Sequence, residues 1–335
     1  MMFAQPWQLS LRLDSSLGMG GDQDGSAYTP VINVQSGSGY AGSVYAASLA
    51  GGQWHADGVA IAGATGQTWA MLSRYEGQAI TYRKGRKTSA PIEMWVPTDT
   101  VQTIPMWVDF SRSDLVTLNG SAISAVAGVG GRMSFAQTVG ARQPALLAGG
   151  LGGLACANPD GSDDCLVGNL ASAIVTPCSI WTALDAYISG RGDANIYRQG
   201  VSSGAVGYRV SGGPNWAIYG GSGGFNSTDA YTAGPAIRMD YYNGPSSAIG
   251  RAGIIYSGGA AGTGVAAGND FGLFSNGANG AMNAALRCGE ILAVSGALST
   301  AARQRLEGYL HLKWGMAAQL AADHPYRTPQ SMRLQ

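Results

Sequence analysis

Apolar and polar residues alternate at Trp7, Leu9, Leu11 and Leu13, set between Gln8, Ser10, Arg12 and Asp14. A period of two places those four side chains on one face of a half-buried strand. The same period recurs at Ile92, Met94 and Val96, with Glu93 and Trp95 between them and Pro97 at the end. Short apolar runs then follow at 180–188, 194–198, 205–210, 216–219, 236–242, 253–256 and 271–274, separated by Gly-Gly, Asn-Gly and Gly-Pro turns. Such spacing predicts an antiparallel sandwich. Near the end the period changes. Ile291 to Val294 is an apolar run bounded by glycines, which predicts a buried strand, and Ser299 then offers an N-cap hydroxyl. Ala302, Leu306, Leu310 and Trp314, with Tyr309 beside them, make one apolar stripe at helical spacing, and Gly315 supplies the stop.

The organisation that results has four parts. Residues 1–27 are an arm, a strand followed by the glycine-rich loop Gly18 to Gly25. Residues 28–97 read as a small β-domain in which Asp57-Gly58 is a hairpin signal between Gln53-Trp54 and Val59 to Ile61. Residues 98–105 are a linker. Residues 106–335 form the large sandwich with its one helix.

Composition supports an all-β chain. Glycine is 52 of 335 residues, about twice the usual ~7% share, and charged residues are 12% against a usual ~25%. Hydrophobic residues still make up 45%, which sets the chain apart from disordered sequences. Formal net charge is zero, and the one basic run, Arg83 to Lys87, falls at an expected hairpin tip. That pattern argues against nucleic acid as a partner, since binding it takes a wide basic face. No stretch of ~20 apolar residues predicts membrane insertion. The opening MMFAQPWQLSLRLD lacks the charged start and continuous apolar core of a signal peptide. Four cysteines are too few for a disulfide scaffold at this length; Cys156 and Cys165 flank a turn, and they either pair across it or stay as free thiols.

The closing stretch also resembles a known family. Glu290-Ile291, Ala297-Leu298-Ser299, Glu307-Gly308-Tyr309-Leu310, Lys313-Trp314-Gly315 and His324-Pro325-Tyr326 occur in the order seen at the end of concanavalin A-like (LamG-like) domains of bacteriophage structural proteins and some bacterial surface proteins. Trp107, Asp109, Phe110, Ser111, Ser113 and Asp114, with Gln143-Pro144, are similar to the opening of that family, and Asp160-Gly161 with Asp163-Asp164 to its middle. Gln53-Trp54, Asp57-Gly58, Ile61, Gly63-Ala64-Thr65 and Ile80-Thr81 resemble the immunoglobulin-like modules of phage and bacterial surface proteins. The resemblance implies a jelly-roll sandwich with one C-terminal helix behind a small immunoglobulin-like domain whose core tryptophan is Trp54.

Candidate chemistry is sparse. The four glutamates, Glu76, Glu93, Glu290 and Glu307, form no pattern that would place a carboxylate pair across a glycosidic bond, and the three histidines suggest no triad. The expectation is a protein that is not an enzyme. Glu290 reads as a structural carboxylate that holds Arg287 or a backbone amide, or else as a cation ligand. Asp160, Asp163 and Asp164, near Asn158, are candidate calcium ligands, and calcium is the one cofactor these residues suggest. Trp216, Tyr219, Tyr231, Tyr241 and Tyr242, with Asn226 among them, are candidate saccharide contacts, because sugar sites combine aromatic faces with polar neighbours.

The resemblance and these residues lead to one expectation. The chain is a virion appendage (spike, fibre or tail tip), assembled in the host cytoplasm and released without a signal peptide. It would be a homotrimer or homopentamer bound to other virion proteins, presenting the sandwich to host-surface polysaccharide. The alternatives are a decoration or adaptor protein that makes protein contacts alone, and a secreted bacterial adhesin or glycanase.

Overall fold

A computed structural model of the chain describes residues 28–99, 103–171, 174–186, 194–199, 205–209, 215–221, 223–230, 234–262, 270–275 and 282–334. The expected strand at Trp7 to Leu13 lies outside the described residues. The chain is an all-β, jelly-roll-type sandwich with one C-terminal helix and a smaller N-terminal β region.

Two antiparallel sheets build the sandwich. The first runs in the order Met106–Asp109, Leu286–Ser295, Cys178–Ala186, Gly234–Tyr242, Ser247–Arg251, Ile254–Gly259. The second runs Val116–Asn119, Ala122–Val126, Phe135–Ala136, Leu166–Asn169, Asp270–Leu273, Ala194–Gln199, Ala205–Arg209, Asn215–Gly220, Gly224–Ala230. The hairpin Ala145–Leu151 and Leu154–Asn158 links them, with Ala145 opposite Ala122 and Ala157 opposite Cys288. Because side chains alternate across a strand, every second residue faces the space between the sheets. Val108, Ile123, Phe135, Leu166, Ile180, Ile218, Phe271 and Ile291 fill it.

The first sheet is covered on its other face as well. Trp107, Trp181, Ile237, Leu292 and Val294 point outward from it and join one apolar cluster with Leu306, Tyr309 and Leu310 of the helix Thr300–Lys313 and with Trp314 at its C-terminal cap. That helix starts where Ser299 accepts a hydrogen bond from the Ala302 amide at 3.2 Å, and it ends at Gly315, whose φ of +71° favours glycine. The same cluster continues into the N-terminal region through Tyr40, Tyr45, Trp54, Met94 and Trp95. There a three-stranded sheet (Ile32–Ser36, Val44–Ala47, Thr68–Ala70) and a four-stranded one (Val59–Ala60, Gln53–Ala56, Ile80–Lys84, Lys87–Thr88) enclose the fully buried Trp54. The hairpin at Asp57-Gly58 takes φ of 47° and 79°, as its sequence requires. The tail closes the arrangement, with Trp95 N–H donating to Met332 and Leu334 N–H to Glu93.

The helix corrects an expectation. Its period predicts one buried stripe, yet Leu306 through Lys313 are all buried, including Glu307, His311 and Lys313. The residues meant for solvent are covered by the N-terminal region and the tail. Gly308 shows how tightly, since a Cβ there would collide with Tyr326. The four cysteines are buried and free, and Cys156 does not pair with Cys165.

Candidate functional site

Among the described residues, the helix and the N-terminal region pack on the first sheet, and the second sheet's outer face carries several partly or fully exposed polar residues. Register defines what it carries. Trp216 and Ile218 point into the core, so Asn215 and Tyr219 point out, and Tyr219 sits opposite Gly224 on the neighbouring strand. Asn226, two residues on, lies on the same face and is exposed. On the strand Ala194–Gln199, Tyr197 faces the core and Arg198 faces out, opposite Gly272. Asp270 and the exposed Asn169 complete the row as cross-strand partners.

Tyr219 is half-buried, and its hydroxyl donates to the Gly221 carbonyl at 2.6 Å, which fixes the ring against the sheet. Partial burial lowers the Arg198 pKa, while Asp270 and then Tyr219 act against that shift. The guanidinium, the carboxylate and the phenol therefore share one neighbourhood. An aromatic ring beside a cation, a carboxylate and carboxamides offers a stacking surface with donors and acceptors around it, which is the chemistry of polyol recognition.

Of the residues singled out from the sequence, Tyr219 and Asn226 stand on this face. Tyr241 is half-buried on the first sheet and packs toward the helix side, away from it. Tyr231 lies outside the described residues. Trp216 and Tyr242 require correction as saccharide contacts, because they are 3% and 0% exposed. Both point between the sheets, where they serve a buried polar group. Arg238 Nε donates to Asp240 Oδ1 at 2.7 Å, Tyr197 OH donates to Asp240 Oδ2 at 2.5 Å, and the Tyr197 and Tyr242 hydroxyls are 2.8 Å apart. The Arg238 guanidinium lies over the Trp216 ring, 4.4 Å from its centroid. Burial raises the Asp240 pKa against the pull of Arg238. The pairing of Arg238 with Asp240 was missed from the sequence. The available signal was two opposite charges at i and i+2, which share one face of a strand whose other residues are apolar.

Asp160, Asp163 and Asp164 do come together, with a carboxylate oxygen from each within 4.8 Å of the others. Two of these groups already serve the turn itself. Asp164 Oδ2 accepts from the Asp160 amide at 2.9 Å, and Asp160 Oδ1 from the Ser162 amide at 2.7 Å. Calcium takes roughly six to eight oxygens, so this donor set falls short of a complete site.

Glu290 is a structural carboxylate, but its partners differ from the expected Arg287. Its Oε1 accepts from Trp107 Nε1 at 2.6 Å and from Tyr309 OH at 3.1 Å. Its Oε2 accepts from Trp314 Nε1 at 2.8 Å and lies 3.3 Å from Lys313 Nζ. Lys313 also reaches Asp109 Oδ2 at 2.6 Å and Glu76 Oε2 at 2.9 Å. Glu76 belongs to the N-terminal region and accepts from the Ala41 amide with its other oxygen, at 2.9 Å. This cluster ties three parts of the chain together. Burial pushes Glu290 up to about 7, although Lys313 pulls the other way. Burial works against the Lys313 charge, but Asp109, Glu290 and Glu76 outweigh it and hold its pKa above the ordinary value.

No family model matches the chain, and no curated protein matches it. Solved structures do overlay on part of it. A Trypanosoma rangeli sialidase matches at 9% identity and a TM-score of 0.43, over 62% of this chain and 32% of that one. The binding domain of botulinum neurotoxin DC in complex with SialylT matches at 9% identity and 0.42, over 64% and 52%. An arabinofuranosidase complexed with arabinofuranosyl-alpha-1,2-xylobiose matches at 12% identity and 0.45, over 64% and 60%. The chain thus spans about a third of the sialidase's length. The expectation of a protein that is not an enzyme is corrected by these overlays, because chains named as glycosidases are among them and a missing sequence motif therefore excludes nothing.

Proposed function

We propose that the chain recognises carbohydrate through the outer face of its second sheet, as an appendage of a phage-type virion. One observation carries the binding reading: Tyr219, Arg198, Asp270 and Asn226 share one face of the second sheet, opposite the core. The overlaid proteins include a sialidase in complex with sialic acid, a botulinum neurotoxin that interacts with two ganglioside molecules and an arabinofuranosidase complexed with arabinofuranosyl-alpha-1,2-xylobiose, which suits the same ligand class. The virion reading rests on the sequence motifs at Asp109, Glu290, Lys313-Trp314-Gly315 and His324-Pro325-Tyr326.

The test is a glycan array probed with the full chain and with Asn226→Ala and Tyr219→Ala variants. Saccharide-dependent binding by the wild type that both variants weaken supports the reading; binding that neither alters sinks the assigned face. Turnover of the bound polysaccharide, followed as new reducing ends, would replace recognition with hydrolysis. Native mass of the purified chain is expected to show a trimer or pentamer on which other virion proteins assemble, and a monomer at high concentration counts against an appendage. Labelled antibody on purified particles locates the chain on a virion or removes that part of the proposal.

A further inference from the structure

The Lys313 cluster holds more than a buried ion pair needs. Lys313 Nζ and Asp109 Oδ2 are 2.6 Å apart, with the lysine fully buried and the aspartate 1% exposed. The other oxygen, Asp109 Oδ1, accepts two hydrogen bonds from one residue: the Ser111 amide at 2.9 Å and the Ser111 hydroxyl at 2.6 Å. Glu290 stands directly opposite Asp109 across the ladder between Met106–Asp109 and Leu286–Ser295. Trp107, Tyr309 and Trp314 surround the group, with the lysine nitrogen 5.4 Å from the Tyr309 centroid and 5.8 Å from that of Trp314. An amine, a carboxyl whose one oxygen is held by two donors, and a second carboxyl beside both are the components of an acyl transfer to nitrogen.

We propose that Lys313 and Asp109 join spontaneously in the folded protein as an intramolecular amide, with Glu290 as the proton carrier. The atoms balance without a co-reactant. Glu290 takes one proton from the Lys313 ammonium, and the neutral Nζ attacks Asp109 Cγ. The charge that develops on Oδ1 meets the Ser111 N–H and O–H donors, which act as an oxyanion hole. Glu290 returns its proton to Oδ2, the attacking nitrogen supplies the second, and the Cγ–Oδ2 bond breaks to release water. The products are one Nζ–Cγ amide and one water molecule.

Three physical features favour the step. The fold holds the reacting groups in contact, which removes the entropic cost of bringing them together. Amide formation converts two charges buried in a dry interior into a neutral group, although it also takes the shared cation from Glu290 and Glu76. Glu290 is able to hold a proton near neutral pH because burial raises its pKa to about 7. Against these, the three carboxylates favour the charged form of Lys313, so the reactive arrangement is a minor one and the bond forms slowly. Asp109 is the chosen acceptor over Glu76 because its carbonyl oxygen alone has the paired Ser111 donors.

The product would fasten the first strand of the sandwich to the last turn of the helix, across 204 residues. It would close the sandwich near its first strand and its last helix.

The test is the intact mass of the full-length wild-type protein, unfolded in acid after days at neutral pH, followed by tandem mass spectrometry of its proteolytic fragments. The expected result is a mass lower than the sequence mass by one water, with a branched peptide joining Lys313 to Asp109. Glu290→Gln keeps the lysine and its acceptor in place and is expected to retain the sequence mass. An unmodified wild-type mass overturns the proposal, as does a link that falls on Glu76. Wild-type rates of bond formation in Glu290→Gln would remove Glu290 from the chemistry.

Discussion

Trp314 lies flat over Gly289 while its indole N–H donates to Glu290 Oε2 at 2.8 Å, so consecutive residues of one strand serve the ring's face and its polar edge. A Cβ at Gly289 would run into the six-membered ring of Trp314. Gly289→Ala is therefore expected to cost about 1–3 kcal/mol, the usual penalty of overpacking a close-packed core. Gly289 is not among the positive-φ glycines, so a loss of that size in urea unfolding reports the collision and not backbone strain. A variant as stable as the wild type would mean that the ring can retreat.

The cluster around Lys313 makes an asymmetric prediction. In freshly folded protein, before the amide has formed, removing the cation leaves Asp109, Glu290 and Glu76 facing one another in the interior, and breaking a buried pair in this way costs about 3–5 kcal/mol. Removing one of the three carboxylates relieves repulsion as well as losing a partner. Lys313→Met should thus lower the unfolding midpoint clearly more than Glu76→Gln does. Equal effects would show that the three acids do not share the one cation.

His311 gives the protein a pH dependence with a definite sign. Burial lowers its pKa to about 4, with the Glu307 carbonyl 2.7 Å from Nδ1 acting in the opposite sense. Between about pH 4 and the unfolded value of about 6.5 the unfolded chain binds the extra proton, so stability rises with pH across that window. The contribution is complete above pH 6.5 and is lost as pH falls toward 4, in total of the order of 3 kcal/mol. Glu290, whose pKa is raised, acts the other way: its contribution is present below about pH 4.5 and is lost as pH rises through about 7. The measurement is therefore a comparison: melting temperature from pH 4 to 7 for the wild type and for His311→Gln. A flatter acid limb in the variant is expected, and parallel limbs would remove His311 as the cause.

Two aromatic substitutions separate the outer face from the core. Tyr219→Ala is expected to weaken saccharide binding about tenfold, equivalent to ~1.4 kcal/mol of lost contact, with a small effect on stability. Trp216→Ala removes the ring beneath Arg238 and is expected to cost about 3–5 kcal/mol of stability. Isothermal titration together with chemical unfolding of both variants reads the two effects. A Trp216 variant that is stable yet unable to bind would return that residue to the binding face.

The strands at Ile180 to Leu184 and 236–242 were legible as short apolar runs between turn signals, because both faces of the first sheet are buried. Gly224–Ala230 was not, since its Asn-Ser-Thr-Asp stretch is a strand only through pairing with Asn215–Gly220. The helix was legible from the Ser299 cap to the Gly315 stop, signals that act within a single turn. Composition alone gathered Tyr219 and Asn226, which lie on the outer face, together with Trp216 and Tyr242, which are buried.

By itself, then, the chain determined its class, part of its strand pattern and its one helix, which follow from local periodicity and turn chemistry, while the buried role of Trp54 was an implication of the resemblance. Tertiary structure decided which face of each element meets solvent. Helix residues 307–313 carry charge that reads as surface, and distant segments bury them: Glu76 meets Lys313 and Tyr40 meets Tyr309 from more than 200 residues away, while His324 of the tail meets Glu307. Lys313, Asp109 and Glu290 are likewise ordinary residues in three distant segments. Only the fold removes water from among them, and in that dry space contact distance and low dielectric turn them into one electrostatic unit.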